Sequence, residues 1–185
     1  MTMRPHIVRL ADYNQWMNAK VYAAAGRLSP EALSADRGAF FGSILATLNH
    51  LMVADTVWLK RFAAHPARPA ALKAVESLPT PTALNQILFS ELAPLQQHRE
   101  WLDRLIQVWA ASLQEADLDQ VLDYANMKGV VNRRNVGGLI LHFFNHQTHH
   151  RGQVTTLLSQ AGQDVGPTDL VILVPDEAPP PGDPP

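Results

Sequence analysis

The sequence predicts an all-α protein, a four-helix bundle with a small β-hairpin inserted before the last helix. Three observations predict it. Four long stretches carry apolar residues at helical spacing. Proline and glycine signals interrupt them. Between the third and fourth, the rhythm changes to a short strand-like pattern that turns on Gly129.

The first helix is expected from about His6 to Leu28, with Leu10, Tyr13, Met17 and Val21 at helical spacing and "SPEAL" closing it. The second is expected from Phe41 to Phe62 through Ile44, Leu48, Leu51 and Trp58. "HPARPA" ends it, because proline cannot continue a helix. The third is expected to begin in "PTPTALNQIL" and to run past Trp109, with Pro94 kinking it. Val121, Leu122 and Tyr124, then "ANMKG", then Val130 and Val131, make the hairpin. The fourth helix is expected from Asn135–Gly137 to Gln160, where "AGQ" supplies a glycine of C′ type. Residues 1–174 therefore read as a single domain. Residues 175–185, with six prolines, read as a disordered tail.

Composition narrows the function. Fifteen basic against 17 acidic side chains leave a formal charge of -2, which offers no footprint for nucleic acid or an anionic membrane. With no cysteine, disulfides and a thiol nucleophile are excluded, and any metal must be held by nitrogen or oxygen. No secretory leader is visible, and no apolar run approaches the ~20 residues that span a bilayer. A cytoplasmic protein without membrane contact is the expectation. Neither HExxH, GxSxG, a P-loop nor a Rossmann glycine pattern occurs, and no helix carries ExxH.

The chemistry concentrates in "NHQTHHRGQ", residues 145–153, with His142 just upstream. With His142 the window holds half of the 8 histidines, so their directions decide what it does. Advancing ~100° per residue from His142, the apolar stripe of Val136, Leu139, Phe143, Val154 and Leu157 lies at ~60–120°. His146 falls at ~40° and His150 at ~80°, in or beside the stripe, whereas His149 falls near -20° and His142 at the edge, roughly as the helical period dictates. His146 and His150 are thus an i, i+4 pair whose imidazoles can converge on one ion. Gln153, near ~20°, borders the same face. A third ligand must come from another helix. His50 sits at the edge of the second helix's stripe, and periodicity does not choose it over His98. Asp55 falls on that helix's apolar face among Leu51, Trp58 and Phe62, and a buried carboxylate needs partners. Two roles are open to it: orienting a ligand histidine, or pairing with Arg151.

The stretches "LNHLMVAD", "LDYANMKG" and "LHFFNHQTHHRGQVTTLLSQAG" resemble the DinB-like (DinB/YfiT) superfamily of metal-binding four-helix bundles, over nearly the whole chain to about Val174. The resemblance implies a triad of His50, His146 and His150 around a divalent ion. It also implies an up-down-down-up helix order and, often, a homodimer. Zinc is the first expectation for the ion, with nickel, iron and manganese as alternatives.

Relatives that act as S-transferases or isomerases use low-molecular-weight thiols. The leading expectation is therefore a metal-dependent enzyme that activates a small thiol for transfer to an electrophilic substrate. The absence of cysteine requires that thiol to arrive from outside. The alternatives are a hydrolase using metal-bound hydroxide and a non-enzymatic metal-binding protein of the stress response. No catalytic residue beyond the ligands is assigned. His142, Gln153, Asp55 and Arg151 are the pocket or supporting candidates, and Tyr13 or Trp16 on the first helix are candidate walls.

Overall fold

The computed structural model describes residues 2–65 and 69–176. They are mostly helical, with four long helices: α1 (Arg4–Ala25), α3 (Ile44–Ala63), α5 (Leu92–Ser112) and α7 (Val136–Gln160). Three short helices lie between them: α2 (Pro30–Ser34), α4 (Lys73–Glu76) and α6 (Glu115–Leu118). Strands β1 (Val121–Ala125) and β2 (Val131–Asn135) form an antiparallel hairpin immediately before α7, pairing Val121 with Asn135 and Ala125 with Val131. Gly129 makes the turn at φ +77°, a left-handed conformation that side chains with a Cβ resist. α1 packs on α5 and α7, and α3 packs on α7 and α5.

The core lies where these helices meet. Trp109, Phe143, Leu48, Met52, Leu102, Ile106 and Ile140 are fully buried. Phe62 stacks on Trp109 at 4.9 Å, and Phe143 meets Trp109 edge-on at 6.1 Å. Burying each such side chain contributes about 1.5–3 kcal/mol, which gives the helices their common face.

Local chemistry sets the ends. Ser43 accepts the Ala46 N–H and starts α3. Asn135 ends β2 and caps α7 in one residue: its Oδ1 accepts the Gly138 N–H, and its Nδ2 donates to the Leu118 carbonyl. Gly137 leaves room at that junction: a Cβ there would sit 3.1 Å from the Leu118 carbonyl oxygen, tighter than an ordinary contact. At the other end Gly162 adopts φ +76°. The Gln163 and Gly162 N–H groups close back on the Leu158 and Ser159 carbonyls, the Schellman pattern expected of "AGQ".

Two expectations need correction. The third helix does not begin in "PTPTALNQIL" but at Leu92, because Asn49 of α3 engages that segment's backbone. Its Oδ1 accepts the Leu88 and Phe89 N–H groups, and its Nδ2 donates to the Phe89 carbonyl. Pro94 therefore falls in the first turn of α5, where N–H groups lack helical partners anyway, and it has no helical hydrogen bond to break there. Part of the "HPARPA" break and, from residue 177 onward, the proline-rich tail lie outside the described residues.

Among the described residues no helix is long and apolar enough to cross a membrane.

Candidate metal centre

α3 presents His50 and α7 presents His146 and His150 across the contact between the two helices. One ring nitrogen from each lies within 4.8 Å of the others. His50 is buried, His150 is 9% exposed and His146 is half-buried. The ring centroids of His146 and His150 are 4.4 Å apart, as an i, i+4 pair should be, and His50 sits 4.4 Å from His150 and 5.2 Å from His146. His149, one residue from His150, is exposed.

The outer nitrogens fix how the inner ones present themselves. His50 Nδ1 donates to the Leu84 carbonyl at 2.8 Å. His150 Nδ1 donates to Gln153 Oε1 at 2.8 Å. A ring whose Nδ1 carries the hydrogen has its lone pair on Nε2. The Nε2 atoms of His50 and His150 face each other at 3.1 Å, so in this tautomer two lone pairs meet, an arrangement that a shared cation would satisfy. Two nitrogens on one tetrahedral zinc, each ~2.0–2.1 Å from the ion, lie at roughly this spacing. The donor set fits a divalent ion of the imidazole-binding kind.

A proton is a poor substitute. Burial is the main cause that lowers the pKa of all three rings; repulsion adds to it, from His150 and His50 at His146, from His150 at His50 and from His149 at His150, while the Leu84 and Gln153 hydrogen bonds oppose the shift at His50 and His150. His146 falls from the ordinary 6.5 to about 3. Unfolded, it takes a proton near 6.5, so between those values the unfolded chain holds more protons than the folded one. Stability gained by neutral burial is present above that window and lost as pH falls through it. The metal-free protein is expected to show a urea midpoint that drops from pH 6.5 toward 3, with a shallower drop in His146→Gln. Parallel profiles for the two proteins would contradict this origin.

Phe41 covers one side of the cluster. Its ring stacks on His50 at 3.9 Å with an interplanar angle of 19° and meets His150 edge-on at 5.6 Å. A cleft of about 600 Å³ opens beside it, lined by Phe40, Phe41, Leu84 and Ile87. His142 is exposed, with its ring 5.9 Å from His146 and 5.2 Å from Trp58, so it neighbours the cluster without joining it. His98 packs between Phe89 and Trp101, away from the histidine cluster.

Asp55 makes an ion pair that holds helices together, but with Arg99 rather than Arg151, and it orients no histidine. Its Oδ2 accepts from Arg99 Nη1 at 2.5 Å and from Gln147 Nε2 at 2.9 Å, and among the described residues it bonds no histidine and not Arg151. Arg99 also faces Asp103 at 2.8 Å. Asn14 and Asn18 donate to Asp103, and Arg151 donates to Asn14 Oδ1. Two carboxylates and two guanidiniums, all buried, thus form one charge-balanced network that joins all four long helices. Burial alone would lower the Arg99 pKa, but Asp103 and Asp55 more than offset it and keep the guanidinium charged. Tyr13 adjoins this network, with Arg151 5.5 Å over its ring and its hydroxyl donating to the Thr168 carbonyl. Trp16 lies against Lys20. Neither walls the histidine cluster.

The sequence reading missed Phe41, the Leu84 carbonyl, Gln147, Arg99, Asp103, Asn14 and Asn18. Signals existed for the last four. Asn14 and Asn18 stand four apart among Tyr13, Met17 and Val21, and Arg99 and Asp103 stand four apart among Leu95, Leu102 and Ile106. Phe41 and Leu84 carry no such local mark.

Fold and site together define a mostly helical protein with a three-histidine cluster of metal-ligating type between two of its long helices. The profile of the DinB family matches residues 3–178, and the chain belongs to that family. Protein DinB of Bacillus subtilis (strain 168) is 28% identical to it over 162 residues, covering 87% of this chain and 89% of that protein. No solved structure matches the chain.

Proposed function

We propose that the chain is a divalent-metal-dependent enzyme, built as an up-down-down-up four-helix bundle, that activates a low-molecular-weight thiol for S-transfer to an electrophile. The observation that carries the metal is the pair of Nε2 lone pairs of His50 and His150 meeting at 3.1 Å, with His146 beside them. Three neutral imidazoles leave the ion's charge intact, and that charge supplies stabilisation of a thiolate near neutral pH.

The chain's own residues do the rest. The Leu84 carbonyl and Gln153 hold His50 and His150 in the tautomer that exposes Nε2. Phe41 excludes water from one face of His50. The apolar cleft of Phe40, Leu84 and Ile87 gives an electrophile a place beside the cluster. Because the chain has no cysteine, the sulfur nucleophile is a co-substrate.

The test is turnover by zinc- or nickel-loaded protein of a bimane electrophile with bacillithiol, mycothiol and glutathione in parallel. Thiol-dependent, chelator-sensitive conjugation with at least one of them is the expected result. Conjugation at the uncatalysed rate with all three removes the S-transferase reading. Hydrolysis of activated esters without added thiol would replace it with a hydrolase.

A further inference from the structure

We propose that the cleft between α3, the hairpin and the start of α7 is a subsite for a small organic anion. Arg134 would take its carboxylate, with Arg61 adding positive charge at the aromatic wall, and Trp58 and Tyr124 would take its flat or apolar body. This assignment rests on reading the histidine cluster as a reaction centre, and it names the chemical class of what is brought there.

Strand register supplies the first part of the argument. Pairing of Leu122 with Arg134 and of Asp123 with Arg133 puts alternate residues on opposite faces of the hairpin. Arg133 and Asp123 face outward and pair with each other at 3.8 Å, both well exposed. Arg134 shares the inner face with Leu122 and Tyr124 and lines a cleft of about 590 Å³ with Trp58, Tyr124, Asn135, Leu139 and His142. The hairpin's acid is therefore spent on the outer face. Among the described residues no carboxylate lines the cleft, and neither Arg134 nor Arg61 has an acidic partner.

Arg61 supplies the second part. Its guanidinium lies 4.6 Å from the Trp58 ring centre and 4.8 Å from that of Tyr124, and Nη2 donates to the Ala125 carbonyl at 3.2 Å. That arrangement holds the cation at the cleft's aromatic wall, half-buried, with donors left over. Arg61, half-buried, and Arg134, exposed at the cleft, have no counter-charge and attract a carboxylate through charge-assisted hydrogen bonds, and the aromatic rings beside them favour a flat body. The cleft also connects to the reaction centre: His142 meets Trp58 on one side and His146 on the other.

The experiment is calorimetric titration of the full chain, metal-loaded and again after chelation, with phenylacetate and with its uncharged counterpart phenylacetamide. Phenylacetate is expected to bind about 10-fold more tightly or better than phenylacetamide, in both metal states. Arg134→Gln is expected to abolish that difference. Arg133→Gln, which removes the same charge from the outer face, is expected to keep it. Equal affinity for the two ligands, or preference unchanged in Arg134→Gln, would overturn the subsite. So would phenylacetate binding that vanishes on chelation, since the carboxylate would then sit on the metal. Failure of the protein to hold metal at all, with the Arg134-dependent preference intact, would count against the proposed function and leave the subsite standing.

Discussion

His150→Ala protein is expected to purify with almost no bound metal, and the parent with close to one ion per chain, since His50, His146 and His150 offer ligand atoms within 4.8 Å of one another. Loss of one of three imidazoles removes a direct bond and leaves the Nε2 lone pair of His50 without the partner that now faces it at 3.1 Å. The affinity loss should exceed the roughly 10- to 100-fold that removal of an outer hydrogen-bond partner costs. Gln153→Ala supplies that smaller value within the same protein, because Gln153 only orients His150 through Nδ1. His149→Ala, on an exposed face, should leave metal content unchanged. Elemental analysis and competition with a chromophoric chelator, run on all three variants with His146→Ala beside them, give the ranking. Equal losses in His146→Ala and His149→Ala would refute the division of the helix into ligating and non-ligating faces.

The largest stability effect is expected at Asp55, away from the histidines. Asp55→Ala leaves Arg99 with Asp103 as its remaining acid and leaves the Gln147 amide without an acceptor, in a layer where all of these side chains are buried. Breaking a buried pair from one side costs about 3–5 kcal/mol. Set against a total stability of about 5–15 kcal/mol, that is a large downward shift in the urea midpoint. The double variant Asp55→Leu/Arg99→Met removes one charge of each sign. Asp103 stays bonded to Asn14 and Asn18, and Arg151 to Asn14, so it should be less destabilised than the sum of its single changes. Asp55→Asn protein that remains folded should retain its metal, since Asp55 has no bond to a histidine among the described residues. Metal loss there without unfolding would restore the role the sequence suggested for this carboxylate.

Much of the site was legible before any tertiary information. The helical period separated His146 and His150 from His149, and the structure keeps that division. The hairpin and its turn at Gly129, the end of α7 and the residues of the second helix also follow from short-range signals: a left-handed glycine, a cap, an apolar period. The third helix was misplaced for a reason of the opposite kind. "PTPTALNQIL" has apolar residues at helical spacing, yet Asn49, some forty positions earlier, engages its backbone in another conformation.

The sequence by itself determined the first, second and last long helices, the body of the third, the hairpin and the pair of inward histidines on the last helix. All of these depend on residues a few positions apart. Tertiary structure decided which distant groups complete them. It put His50 rather than His98 against His150, gave His50 the Leu84 carbonyl and the Phe41 ring, and gave Asp55 to Arg99 rather than to a histidine or Arg151. The physical reason is that a helix's period fixes which way a side chain points relative to its own axis. What it meets there depends on how two helices rotate and slide against each other, and only the packed core sets that.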